Sequence, residues 1–218
     1  MAQDVALVTV APRGSTVGAE RLLTQNPAGA AMVVDFFAQQ ILNGYGWQVR
    51  AGTITTPLVG DVLITDTAAE YCVDIANGGT LIPLCNNISI RLGTGTLFEF
   101  AVKSVATASS AGTAFVPLAL KNGAVTTGLD TARVSAAGGV TVTAELATTT
   151  PRHWSFAQPI AMGAYVPEQT WEPLRPPVLQ GTAAAARCLY VQIAATGTGP
   201  SYFANIDYLS IPTGLIGQ

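Results

Sequence analysis

Charge is scarce in this sequence. Of 218 residues, 10 are Lys or Arg and 13 are Asp or Glu, so 11% are charged, against about 25% in an ordinary soluble domain. A solvated face must therefore be built from Thr, Ser, Gly, Asn and Gln. That composition suits β-strands and surfaces packed against copies or partners, where charges would have to be desolvated. The net charge is −3, and the two lysines, Lys103 and Lys121, and the eight arginines form no basic run. Neutralising a phosphate backbone needs clustered Lys and Arg, so no direct nucleic-acid binding is expected. A single histidine, His153, leaves any Ser-His-Asp or Cys-His arrangement one possible base. Three cysteines, Cys72, Cys85 and Cys188, are an odd number at spacings unlike those of metal motifs, which argues for buried free thiols rather than a disulfide framework. No stretch reaches the roughly eighteen uninterrupted apolar residues of a membrane-spanning helix. Met1-Ala2-Gln3-Asp4 carries neither the basic nor the apolar region of a secretory leader. Synthesis in the cytosol, with no membrane contact, is the expectation.

What is present is β-type patterning. Residues 55–105 hold three short runs, 70–76, 80–92 and 97–105, separated by Asn77-Gly78-Gly79 and Gly93-Thr94-Gly95-Thr96. Ile88, Ile90 and Leu92 alternate with Ser89 and Arg91, the period of two of a half-buried strand, and this segment is read as the centre of a sandwich. Pro83 lacks the N–H that a ladder uses, so a bulge or an edge position is predicted there. Upstream, residues 4–10 have strand character at Val5, Leu7 and Val10, then break at residues 11–16. Asn26-Pro27 reads as a helix cap and first helical position, with Val33, Phe37 and Ile41 on one helical face. Yet Val34, Phe36, Ala38, Gln40 and Leu42 alternate, and Asn43-Gly44-Tyr45-Gly46 leads into Trp47-Gln48-Val49-Arg50, which favours a hairpin over a helix. A strand is expected over residues 50–56, ending before Pro57, followed by a short strand or loop edge over 59–65.

Downstream, residues 106–113 read as a long loop and 115–120 as a short apolar run. Residues 131–146 alternate about Gly138-Gly139, with Val140, Val142 and Ala144 opposite Thr141, Thr143 and Glu145, the pattern of a strand with one wet face. Residues 151–160 read as a strand. Residues 167–180, with Pro167, Pro173, Pro176 and Pro177, are predicted to be extended and outside any ladder. Runs at 187–194 and 202–211 close the chain. About eight to ten strands, little helix and no solenoid repeat give an all-β class, an antiparallel β-sandwich, jelly-roll-like, with extended N-terminal and Pro-rich excursions. Residues 1–24 are read as an arm or edge strand and residues 25–218 as one sandwich domain.

Chemistry is thinly supplied. His153 follows no G-x-S-x-G elbow and reads as a strand-end residue satisfied by a backbone carbonyl. Asp61, Asp66, Glu70 and Asp74 lack a calcium-loop pattern and are expected on solvated loops and strand faces. Glu168 and Glu172 could be a carboxylate pair only by spatial accident and read as surface charges. Gly93 and Gly95 precede neither helix nor lysine, so phosphate cradling is not indicated. Asn87-Ile88-Ser89 matches a glycosylation acceptor but follows no secretory signal. Trp47, Trp154 and Trp171 with Tyr45, Tyr165 and Tyr202 could stack on sugars, or close a core or an intersubunit seam, the commoner use. No catalytic, metal or cofactor residue is assigned, and the chain is read as non-enzymatic.

Three stretches together carry a resemblance: Gly46-Trp47-Gln48-Val49-Arg50-Ala51-Gly52-Thr53; Ala69-Glu70-Tyr71-Cys72-Val73-Asp74-Ile75 with Gly79-Thr80-Leu81-Ile82-Pro83-Leu84; and Trp171-Glu172-Pro173-Leu174 before two closing strands. In this order they resemble the small jelly-roll structural proteins of tailed-bacteriophage virions, the capsid decoration or cement type. The resemblance implies a homo-oligomer, a trimer in most of that class, bound to the major capsid protein on a virion assembled in the host cytoplasm. Contact residues are then expected where backbone is unpaired, at Val5, Leu7 and Val10 of the N-terminal segment and at Trp171, Leu174, Pro176 and Pro177 of the Pro-rich segment. The alternatives are a carbohydrate- or receptor-binding sandwich of a phage tail, and a single jelly-roll shell protein, the latter disfavoured by the missing basic arm.

Overall fold

The computed structural model describes residues 36–92, 97–121, 130–135, 139–146, 148–159, 168–182 and 186–215. The strand expected at residues 4–10, the arm at 1–24 with Val5, Leu7 and Val10, and the cap at Asn26-Pro27 lie outside these residues. The chain order begins with α1 (Phe36–Leu42), β1 (Gly46–Ala51), β2 (Leu58–Val59), β3 (Ala68–Ala69), β4 (Tyr71–Ile75), β5 (Gly79–Leu92) and β6 (Leu97–Val105). It continues with β7 (Ser110–Ala111), β8 (Thr113–Phe115), β9 (Leu118–Ala119), β10 (Thr131–Val134), β11 (Val140–Thr141) and β12 (Arg152–Pro159). The last elements are β13 (Gln169–Trp171), β14 (Leu179–Gln180), β15 (Arg187–Ala195), β16 (Ser201–Pro212) and a short 3-10 turn, Thr213–Leu215.

The named strands pair antiparallel in three sheets. The first runs β13-β5-β16-β1-β9, with β14 also on β5 and β2 on β16; the second runs β12-β6-β15-β4-β10-β8; the third, of short strands, runs β3-β11-β7. The first two stack face to face, because alternate residues of each are apolar and meet in one core: Trp47, Val49, Ile88, Ile206 and Tyr208 from the first, Tyr71, Val73, Phe100, Val102 and Val191 from the second. Along β16, Tyr202, Ala204, Ile206 and Tyr208 are buried while Phe203, Asn205 and Asp207 are half-buried, the alternation of a sheet with one wet face.

The third sheet covers the outer face of the second and encloses a smaller core of Ala69, Cys72, Val105, Val140, Val142, Cys188 and Tyr190. For this reason β15 is buried on both faces from Cys188 to Ala195, and its sequence reads as an apolar run broken only by Gln192 rather than an alternating one. The three central runs of the sequence are thus all strands, as expected, but they divide: β5 belongs to the first sheet, while β4 and β6 flank β15 in the second. The bulge expected at Pro83 is present. Asp207 pairs with Cys85 and Tyr208 with Pro83, leaving Leu84 as the extra residue. On the other side of β5, β13 pairs at Asn86–Ile88 and β14 at Thr80–Leu81, so Pro83 falls in the gap where no donor is required.

Five expectations are corrected. Residues 36–42 are helical, and the glycine after them is a helix stop rather than a hairpin turn. Gly44 has φ +88, its N–H bonds Ile41 O and the Tyr45 N–H bonds Gln40 O, the paired hydrogen bonds of a Schellman cap. Phe37 and Ile41, four apart, pack on Ile82, Leu209 and Ile211. The strand expected to run to residue 56 ends at Ala51, because Gly52 turns at φ +70 and Thr53 closes a turn, its Oγ1 accepting the Thr56 N–H at 3.0 Å. Residues 131–146 are two strands in different sheets, β10 beside β4 and β11 beside β3. The Pro-rich segment is laddered at both ends: Gln169–Trp171 and Leu179–Gln180 add to β5, and only residues 172–178 between them run free of a ladder. The loop expected over 106–113 likewise contains β7.

Candidate functional site

The residues singled out in the sequence go to different places. Trp171 is 8% exposed and belongs to the main core, while Leu174, three residues on, is 98% exposed; Pro176 and Pro177 are half-buried. Trp47 and Tyr202 are also core residues, and Trp154 packs against that core; Tyr165 lies outside the described residues. These aromatics close the sandwich rather than form an exposed stacking surface. His153 is satisfied by a side chain, not by a backbone carbonyl: its Nε2 lies 2.9 Å from Ser104 Oγ, and its ring stacks on Trp171 at 6.4 Å. Burial lowers its pKa. Ser104 is 1% exposed and His153 half-buried, so the imidazole is held at the edge of the core.

Three groupings bring polar chemistry together. The first is a groove of about 440 Å³ on the outer face of the first sheet. Its floor is a line of planar side chains, with Arg50 Nε donating to Gln48 Oε1 at 2.6 Å, Gln48 Nε2 to Asp207 Oδ1 at 2.7 Å and Asn205 Nδ2 to the same oxygen at 3.2 Å. Gln48 and Asp207 are register partners, as are Arg50 and Asn205, so the ladder itself fixes this line. Phe203, Thr53, Ile54 and Thr55 complete the groove.

The second grouping is a buried carboxyl. Glu70 is 2% exposed, against its expected place on a solvated face. Its Oε1 accepts the Asp61 N–H at 3.0 Å, and Tyr202 Oη donates to Oε2 at 3.5 Å. Burial, reinforced by the nearby Asp61 charge, pushes its pKa up to about 8. Residue 61 also forms a bridge to Ala194, so this acid helps to hold the 60–61 crossing against β15.

The third grouping lies in the smaller core. Cys72, Asp74 and Cys188 place one ligand-type atom each within 4.8 Å of one another. Both thiols are fully buried. Cys72 Sγ donates to Ser109 Oγ at 3.1 Å, and Ser109 gives its hydroxyl to Asp74 Oδ2 at 2.6 Å and its N–H to Oδ1 at 2.7 Å. Sequence spacing did not reveal this group, because 72 and 74 share a strand face through the period of two while 188 arrives from a distant strand. The odd cysteine, Cys85, sits on the other sheet, its thiol pushed up to about 11 by burial and by the Glu172 and Asp207 charges.

Beside the third sheet, Lys103 is 2% exposed and is paired with Glu145, which also accepts from Arg152 at 2.9 Å. Among the described residues no helix is long and apolar enough to cross a membrane. No family model matches the chain, and no match emerges among curated proteins or solved structures.

Proposed function

We propose that this chain is a non-enzymatic virion structural protein, a capsid decoration or cement protein with jelly-roll kinship that works as a homotrimer on the shell of a tailed bacteriophage. The observation that carries the reading is the loop at 172–178. It is tied to β5 at both ends and presents Leu174 at 98% and Val178 at 55% exposure. A fixed loop offering large apolar side chains loses little entropy when a partner covers it. Ile54, Val59, Val62 and Leu63 are exposed in the same way on the 54–63 segment, so a chain poor in charge has several apolar points with which to bridge neighbours. Copies arranged about a symmetry axis would add their contacts by avidity. The test is readdition of the purified protein to cognate capsids stripped of it. Leu174→Asp is expected to lower occupancy and the heat resistance of the shells, with mass photometry reporting trimers for the free wild type. Full occupancy by the variant, or a monomeric wild type, would reject the proposal.

The outer groove favours a second reading, recognition of a saccharide. Planar amides, a guanidinium and an aromatic ring held in one line are the groups that bind hydroxyls and stack on a sugar face. A printed array of neutral and acidic oligosaccharides decides it: signal lost in both Arg50→Ala and Phe203→Ala supports recognition, and a blank array rejects it.

A further inference from the structure

We propose that Cys72, Asp74 and Cys188 form a binding site for a thiophilic divalent cation, zinc in preference to calcium or magnesium, which staples β4, β15 and the loop before β7. In the β4–β15 ladder Cys188 stands opposite Asp74 and Tyr190 opposite Cys72. The three side chains therefore leave the second sheet on one face, the face that the third sheet covers. Their ligand atoms are within 4.8 Å of one another, and Ser109 Oγ, in contact with both Cys72 Sγ and Asp74 Oδ2, is the neighbouring oxygen from which the fourth ligand of a zinc site could come, directly or through a water. Two sulfurs and one carboxylate oxygen are a donor set for zinc, whereas calcium and magnesium require oxygen shells of higher coordination number.

The charges also fit. Binding exchanges the two thiol protons for one ion: Zn²⁺ and two S–H groups become a zinc dithiolate, and the protons pass to solvent. Two thiolates, the Asp74 carboxylate and Zn²⁺ sum to one negative charge. Arg133, with its Nε 3.5 Å from Asp74 Oδ2 and its Nη1 donating to Ala111 O at 3.2 Å, balances it. Without the ion, Cys72 and Asp74 are satisfied through the Cys72–Ser109–Asp74 relay, and burial raises the Cys188 thiol pKa well above its ordinary value. The ion adds a cross-link between elements 116 residues apart in sequence (188 − 72).

The experiment is titration of the full-length, reduced, chelator-treated protein with Co²⁺ and then Zn²⁺. One cobalt per chain is expected, with the sulfur-to-metal charge-transfer band and the intense visible bands of tetrahedral thiolate cobalt, both removed by zinc. About two protons should leave per zinc in weak buffer, and the melting temperature should rise. Cys188→Ser should abolish the charge-transfer band, Asp74→Asn should weaken binding by about tenfold or more, and Cys85→Ser should change nothing. Should Cys188→Ser fail to fold, wild-type protein treated with a thiol reagent in mild denaturant gives the second readout: zinc must protect Cys72 and Cys188 and leave Cys85 to react. No band in protein with three titratable thiols, a band that survives in Cys188→Ser, or thiol protection that ignores zinc each overturns the site.

Discussion

The carboxyl of Glu70 accepts the backbone N–H of Asp61 at 3.0 Å from a position only 2% exposed. An acid so placed holds its proton to higher pH than in the unfolded chain, about 8 against an ordinary 4.5. The native state therefore binds more protons than the unfolded state across that interval. The stabilisation is fully present below the ordinary carboxylate pKa and is lost as pH rises through about 8. Its size is on the order of 5 kcal/mol. Asp130, raised mainly by burial, acts in the same sense. Urea unfolding at pH 5 and pH 8.5 should show the wild type weaker at the alkaline value and Glu70→Gln markedly flatter; equal pH slopes would exclude Glu70 as the source.

Lys103 and Glu145 give a contrasting case. Lys103 is 2% exposed and lines a cleft with Glu145 and Arg152. Burial alone would raise the Glu145 carboxyl, but Lys103 and Arg152 more than offset it, so the carboxyl sits below its ordinary range and its stabilisation is lost only as pH falls through that lowered value. Glu145→Gln leaves the lysine charge buried beside a neutral amide and should cost about 3 kcal/mol, whereas Lys103→Met removes the charge and should cost less. Urea midpoints at constant m-value settle the order; a larger loss for Lys103→Met would contradict it.

Gly199 crosses Gly60 so closely that a Cβ at residue 199 would meet the Gly60 carbonyl oxygen at 1.7 Å. Gly214 has open space around the same position. Gly199→Ala should therefore lower stability by several kcal/mol, by forcing apart the 60–61 crossing, and Gly214→Ala should stay within about 0.5 kcal/mol of wild type. Thermal melts of the pair make the comparison, and matching melts would mean that the crossing relaxes without cost.

Trp171 and Leu174 separate folding from contact. Trp171→Ala empties a core position and should cost about 3 kcal/mol or more. Leu174→Asp, at a side chain 98% exposed, should leave the unfolding midpoint unchanged. Loss of stability in Leu174→Asp would place that side chain in the fold rather than at a contact.

The strands were legible in the sequence where one face is wet. Ile88 against Ser89 and Ile206 against Asp207 announce their alternation, and Pro83 announced its own bulge. Where the signal failed, another element had intervened. Gly44 looks the same in a hairpin turn and at a helix stop, and only the packing of Phe37 and Ile41 on Ile82 and Leu209 decides between them. The third sheet is made of pairs of residues such as Val140 and Thr141, too short for any periodicity to register. Glu70 is acidic and was assigned to solvent, since burial of a carboxyl is visible only once β4 and β16 have met. Cys72 and Cys188 are an unremarkable pair of thiols until the ladder sets them side by side.

Because the third sheet covers the second, β15 has no wet face along Cys188–Ala195; β6 lines one of its edges, and β4 followed by the backbone of Asp61 lines the other. Its amides can meet water only when the molecule comes apart. In deuterium exchange the peptide spanning residues 187–195 should be the last to label, and its rate should report the free energy of global opening. The two-residue strands that shield it, β3, β7 and β11, should label first. Strength in this protein is thus concentrated in a middle layer, and its covers are the parts that can move.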